Sequence, residues 1–390
     1  RFMPVNFLTL QPQIRLLGET AVARKSELAH KLQACRELLQ QHDADLITLQ
    51  KTVEEAATKN KGLRCAAPVT ELLASHHPSV LPAPACTILA ADGSQINPDP
   101  HGSALFGLVN VGVFRMRPGS GETPGIKVFS DLLHDETLQS QIGLASEDLI
   151  ALLRDVKERE ILAKLAETET APIVTLTDGP LELYHEPRQD PQFEPEFKRY
   201  LSALDDLALN NGITAGYVDR PRADLVVRLL ELMTPHDQIN SDPHARPFGG
   251  ITDLSLFENI LNPGERSAVF RLQSSSATSF KGRKALHFFY LNVGSANKST
   301  LARVEVPLWV IENPTSLETL QSVLVEQSRQ AGSRPYPYPL IRAHEIAVVK
   351  MDDRQQITTM IETELIKRGF PPSLNSNKQS NKQHQGRMRK

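Results

Sequence analysis

Two aspartates close apolar runs in the same way, in "TILAADGSQ" (Thr87–Gln95) and in "IVTLTDGPL" (Ile173–Leu181). Runs rich in Ile, Val, Leu and Thr read as buried strands, so Asp92 and Asp178 are expected at strand ends. Each is followed by a glycine, Gly93 or Gly179, which turns without a side chain screening the carboxylate. Ligands of α/β sheets gather at the carboxyl ends of strands. On neighbouring strands the two carboxylates would converge, repel and ask for a cation, and oxygen donors suit Mg²⁺ or Mn²⁺. Metals held this way can bind a phosphodiester and activate water for in-line attack. A single Asp-Gly pair is usually just a turn; it is the matched pair that suggests a site.

The segment between the two runs offers a third acid. Leu149, Leu153, Val156, Glu160 and Ala163 fall on one helical stripe, placing Glu160 where an apolar residue is expected. Glu158 projects nearly opposite, toward Ile161 and Leu165, and is the rival; the run "RDVKERE" also reads as a solvated charged surface. A fourth candidate is His344 in "PYPYPLIRAHEIAVV", near the apolar edge of a helix that the prolines lead into. Histidine there ligates metal or moves a proton, although a lone histidine on such a face is more often a hydrogen-bonded core residue.

These residues need a scaffold. From about Glu19 to Asn60 the chain is helical in pattern, with Leu28, Leu32, Cys35 and Leu39 on one face, and predicts a helical hairpin or dimerisation arm. Strands are expected at Thr87–Ala91, Ala104–Met116, "IKVFSDLL", "PIVTLTD" and "ITAGYVD". Helices are expected from Ser146, as N-cap, to about Thr168, over Pro195–Asn211 and over Pro221–Met233. This alternation predicts an α/β sheet with helices on its faces. Thr234–Gly264 reads as a loop or insertion. Beyond it "SAVFRLQ", "KALHFFYLNVG" and "ARVEVPLWVI" predict antiparallel strands, then helices at about 316–331, 340–349 and 354–368. Residues 371–390, basic and without an acid, read as a disordered tail.

Composition bounds the rest. A 390-residue chain that is 40% hydrophobic builds one large or two smaller cores. A formal net charge of −3 gives no global pull toward polyanions, so a nucleic acid would need a local basic groove. Cys35, Cys65 and Cys86 are too scattered for a zinc knuckle and read as reduced, buried thiols. Without a signal-like or membrane-spanning apolar run, a cytoplasmic protein is expected.

Together, the strand ending Asp-Gly-Ser, the glutamate-bearing helix, "TDGPL", "GYVDRPRADLVV" and "YPYPLIRAHEIA" resemble the NurA family of prokaryotic DNA-repair nucleases, over about Thr87 to Arg368. The resemblance implies an RNase H-like mixed sheet of five strands with flanking helices, a further β region, and N-terminal helices that help form a homodimer. Residues 1–80 would then be the helical arm and 81–370 the nuclease domain, with its core at about 85–233, an insertion at 234–264 and β strands and helices over 265–370. It further implies two Mn²⁺ or Mg²⁺ ions at Asp92, Glu160 or Glu158, Asp178 and His344, with Asp92 bridging them. The implied activities are 5′ to 3′ exonuclease and single-strand endonuclease, on single- and double-stranded DNA, in double-strand break end processing with a HerA-type hexameric ATPase. The resemblance leads us to look for a basic residue after the fifth strand, where this chain offers Arg220 or Arg222; Lys281, Arg283 and Lys284 in "SFKGRKALHFF" form a second basic loop able to hold phosphates.

Two other classes compete. A metal-dependent phosphatase-like hydrolase also places an aspartate after a buried strand, as nucleophile, but "DGSQ" lacks the usual second aspartate two residues on. A non-catalytic DNA-binding scaffold would keep the fold and be indifferent to mutation of Asp92.

Overall fold

The computed structural model describes residues 5–100, 104–134, 138–140, 143–144, 146–183, 190–234 and 246–369. The basic tail, and residues 235–245 of the expected insertion, lie outside them. The chain divides into two units. One gathers the chain up to Ser79 with Asp219–Ser279 and Ala285–Val304; the other gathers Val80–Val218, Phe280–Lys284 and the chain from Glu305.

In chain order, α1 (Phe7–Gln41), α2 (Leu46–Lys59), β1 (Cys65–Pro68) and β2 (His76–Pro78) open the first unit. There follow β3 (Thr87–Ile96), β4 (Gly107–Met116), β5 (Gly125–Leu133), the short β6 (Gln139–Ser140) and β7 (Gly143–Leu144), α3 (Glu147–Ala166), β8 (Ile173–Asp178), α4 (Phe193–Leu209) and β9 (Gly212–Asp219). The chain returns to the first unit with α5 (Leu225–Glu231), α6 (Asp253–Phe257), β10 (Glu265–Ser267), β11 (Phe270–Gln273) and β12 (Leu286–Asn292). Strand β13 (Leu301–Pro307) leads to α7 (Leu308–Ile311), α8 (Pro314–Arg329), α9 (Tyr338–Ala347) and α10 (Met351–Lys367) of the second unit.

The second unit carries the mixed sheet, in the order β5-β4-β3-β8-β9. β3, β4 and β5 form an antiparallel meander, while β8 and β9 run parallel to β3. This is the RNase H-like arrangement implied by the resemblance. Helix α3 starts where Ser146 accepts the Leu149 N–H, and Glu147 and Asp148 sit in its first turn, where the helix dipole favours anions.

The first unit is an antiparallel assembly in which β1 pairs β11, β11 pairs β12, and β10 pairs both β2 and β12. Helix α1 begins well before Glu19, capped by Asn6. It buries Cys35 and Leu39 and leaves Phe7, Leu8, Ile14, Leu16, Leu17 and Val22 exposed. All three cysteines are free and buried, and burial pushes the thiols of Cys35 and Cys65 up to about 12 and that of Cys86 to about 11, so none is a ready nucleophile.

Several expected boundaries move for local reasons. "SAVFRLQ" splits into β10 and β11, which share β12 but take different second partners, β2 and β1. "LWVI" turns helical instead of extending β13, because Pro307 cannot continue a ladder and opens α7. Helix α5 is shorter than Pro221–Met233, and its first turn is capped from a distant segment. Asp253, fully buried, accepts the N–H groups of Val226 and Val227 and the Tyr290 hydroxyl. Burial raises its pKa to about 6 against those donors. A carboxyl with a raised folded-state pKa contributes stability that is full below its unfolded pKa and is lost as pH rises through about 6. Asp253→Ala strands three buried donors and should cost roughly 3 kcal/mol in urea unfolding. In Asp253→Asn the stability slope between about pH 4 and pH 6 should flatten relative to wild type.

Candidate active site

Asp92 and Asp178 do meet, but only one of them ends a strand. Parallel pairing of β3 with β8 stops at Ala91 opposite Thr177, so Asp92 and Asp178 are the next residues on each strand. β8 ends there, whereas β3 runs on to Ile96 against β4, which corrects the expectation that Asp92 closes its strand. The two glycines accordingly do different work. Gly179 is a true turn residue, at φ +93°, a conformation that favours glycine. Gly93 stays extended, and what it provides is room. A Cβ there would lie 2.6 Å from Glu158 Oε1 and 2.5 Å from Arg154 Cγ, so side chains of α3 occupy the space over the residue after Asp92.

A second glycine brings in His344. Gly112 is opposite Asp92 on β4, and a Cβ on it would sit 2.6 Å from Ala347 N and 2.8 Å from Ala343 O, both backbone atoms of α9. The end of α9 is fastened there: the Ser94 hydroxyl and the Asn110 amide both donate to Ala347 O, at 2.5 and 2.7 Å. His344 is thereby held with Nδ1 2.6 Å from Asp92 Oδ2. The carboxylate also accepts the Gly93 N–H at 2.9 Å. In the Nδ1–H tautomer the ring donates to Asp92 and presents Nε2 on its other side, on a side chain 65% exposed.

Tyr336, in the proline-rich approach to α9, hydrogen-bonds Asp178 through its hydroxyl and packs edge-on against Tyr217 at 5.2 Å. It was not among the residues singled out from the sequence; the "YPYP" lead-in is the signal that could have found it. Crowding by protein atoms raises the pKa of Asp178, the charge of Asp92 adds to this, and Tyr336, His344 and the Gly179 N–H oppose it. Burial likewise pushes Tyr336 upward. Tyr336→Phe keeps the ring and removes the tie to Asp178, and should lower any activity that depends on Asp178 roughly 10- to 100-fold in a steady-state assay.

On α3 the structure separates the two rival glutamates. Glu160 is paired with Arg199 of α4, at 2.7 and 2.8 Å, which favours its rival Glu158 for the place beside the aspartates. Glu158 is 6% exposed, beside Gly93, with Arg154 Nε 3.7 Å from Oε1. Burial raises its pKa well above the carboxylate range, with repulsion from Asp155 and Asp92 adding to the effect. Asp155, one turn earlier and absent from the sequence expectations, is also raised by burial, and Asp92 repels it too. Beneath them Arg159, 2% exposed, donates to the Thr177 hydroxyl and lies 5.9 Å from the Tyr200 ring centre. A cavity of about 310 Å³ opens here, lined by Arg154, Asp155, Glu158, Arg159 and Asp178 among others.

The loop after Asp178 is pinned. Glu305 accepts the N–H groups of Leu181 and Glu182, and the Tyr200 hydroxyl donates to Leu181 O. Gly216 of β9 lets it lie close, since a Cβ would stand 2.5 Å from Gly179 O. Among the basic candidates, Lys281 and Arg283 are exposed, while Lys284 is bound to Asp205. Arg220 and Arg222 are residues of the first unit, and both are exposed.

Among the described residues no three His, Cys, Asp or Glu side chains are already gathered as a metal cage. The donor chemistry nevertheless fits a hard divalent cation. It consists of carboxylates and one imidazole, and Asp92 raises the pKa of Asp155, Glu158 and Asp178 alike.

The sequence profile of the NurA domain matches residues 86–349. No curated protein matches the chain. Among solved structures, the NurA nuclease from Sulfolobus solfataricus superposes with a TM-score of 0.52 at 12% identity, over 93% of this chain and 96% of that one. The catalytic domain of human Endonuclease V reaches 0.33 at 14% identity, over 82% and 98%, too low to support an argument.

Proposed function

Since the chain belongs to the NurA family, and so to a nuclease family, we propose that it is a metal-dependent deoxyribonuclease acting at broken DNA ends. The observation that carries this reading is the meeting of Asp92, Asp178 and His344 at the point where β3 and β8 part, with Glu158 admitted by Gly93.

When bound, Mn²⁺ or Mg²⁺ lowers the pKa of a water and offsets charge on the leaving oxygen. Asp92, Asp178 and Glu158 would hold the cations. Asp92 also fixes the His344 ring by accepting its Nδ1–H, which leaves Nε2 to take the proton of the attacking water. Tyr336 holds the Asp178 carboxylate in place. The pinned loop from Gly179 to Glu182 keeps Asp178 from swinging away as the charge is redistributed. Lys281 and Arg283 in the second unit, and separately Arg220 and Arg222 in the first, are suited to holding phosphates without reading bases.

Within this reading the enzyme has 5′ to 3′ exonuclease and single-strand endonuclease activity, works as a homodimer with a HerA-type hexameric ATPase, and acts in the cytoplasm on double-strand breaks. No helix among the described residues is long and apolar enough to cross a membrane. The test is incubation of purified protein with end-labelled linear and single-stranded DNA in Mn²⁺ or EDTA. Shortening of the labelled strand in Mn²⁺ and none in EDTA is expected. Hydrolysis of p-nitrophenyl phosphate with intact DNA would favour the phosphatase-like reading. DNA retention without cleavage would favour the scaffold. A hexameric DNA-translocating ATPase is expected to co-purify from the native cell.

A further inference from the structure

Strand β5 ends the sheet of the second unit, and its outer edge is paired with no strand among the described residues. Such edges are normally short, bulged or broken by proline. β5 runs nine residues, pairs β4 in unbroken register from Gly125 to Leu133, contains no proline, and leaves Ile126, Val128 and Leu132 54%, 54% and 45% exposed. The sequence GIKVFSDLL is also complementary to itself. Set antiparallel to a second copy about Phe129, it places Ile126 opposite Leu132, Lys127 opposite Asp131 and Phe129 opposite Phe129. A shift of two residues either way moves Lys127 opposite Phe129 or Leu133, so the charges match in this register alone.

We propose that the outer edge of β5 is a self-association surface, on which β5 of a second copy of this chain adds antiparallel about a two-fold axis at Phe129. The pairing is isologous, so each Lys127–Asp131 contact is made twice. Asp131 already holds Lys157 at 2.5 Å, and in the pair it lies between two cations. Lys127, which in an isolated edge would deter pairing, becomes the residue that selects the register. Ile126 and Leu132 from the two copies cover one another on one face, and the Phe129 rings meet on the other. Neither the nuclease reading nor α1 enters into this pairing.

Cysteine cross-linking of the full chain tests it, since the three native cysteines are buried. Opposed residues in an antiparallel pair have Cβ atoms about 4.5–5.5 Å apart, within reach of a disulfide after small adjustment. Phe129→Cys should give a covalent dimer under mild oxidation. Ile126→Cys should not, because the two positions 126 would be roughly 20 Å apart. An equal mixture of Lys127→Cys and Asp131→Cys chains should cross-link where each alone does not, which serves if the Phe129 variant folds poorly. Added to Phe129→Cys, Lys127→Asp should cut dimer yield several-fold, and Asp131→Lys on top should restore it. Failure of both cysteine pairs to cross-link, equal yield from Ile126→Cys, or no response to the charge reversals would overturn the proposal.

Discussion

Replacing Asp92 by asparagine should abolish DNA cleavage, by about a thousandfold or more, while leaving the protein folded and slightly more resistant to unfolding. Both effects have one cause. In Asp92→Asn the side-chain amide oxygen can still accept the His344 Nδ1–H, giving up the Gly93 N–H, so α9 stays docked against Gly112 and the imidazole stays oriented. What disappears is a charge that adds to the effect of burial in raising Asp155, Glu158 and Asp178. Removing it relieves repulsion in the metal-free protein and removes a ligand from the loaded one. Opposite changes in activity and stability mark a residue whose placement is costly and kept for function. They are measured by initial rates on end-labelled DNA and by thermal melting in EDTA.

The second large effect separates neighbours on one helix. Glu158→Gln should reduce cleavage about a hundredfold or more, whereas Glu160→Gln should leave the rate within about threefold of wild type. Glu158 is buried beside Gly93, the residue next to Asp92. Glu160 and its partner Arg199 are partly exposed on the α4 side, so the loss of that pair is a small matter of stability. Comparable losses from both variants, or a larger one from Glu160→Gln, would remove Glu158 from the proposed site.

Much of this was legible in the residues, and the exceptions have physical reasons. The two apolar runs announced β3 and β8, and the prolines before His344 announced α9. The stripe through Leu149, Val156 and Glu160 could not decide between the two glutamates because α3 is buried on more than one side. It packs against β3 and also against α4, so Leu152, Glu158, Ile161 and Leu162 are buried as well as Leu149 and Val156. A helix covered on two faces has no single apolar stripe from which to read orientation. The two Asp-Gly pairs look alike in sequence because glycine serves equally for positive φ and for close approach. Only three-dimensional neighbours distinguish Gly179 from Gly93. Asp155 and Arg159 were hidden in "RDVKERE", where burial of charge depends on partners distant in the chain, Thr177 and Tyr200 among them.

The claim beneath all of this is that Asp92, Asp178 and Glu158 are crowded together to share a divalent cation. Because the Glu158 and Asp178 carboxyls hold protons to higher pH than usual, affinity for Mn²⁺ should rise with pH as those protons are displaced. The most direct measurement is isothermal titration of Mn²⁺ into the wild type and into Asp92→Asn, Glu158→Gln and Glu160→Gln. Binding by the wild type and by Glu160→Gln, weakened about tenfold or more in Asp92→Asn and Glu158→Gln, is the predicted result. No Mn²⁺ binding by the wild type, or equal affinity in Asp92→Asn, would contradict it.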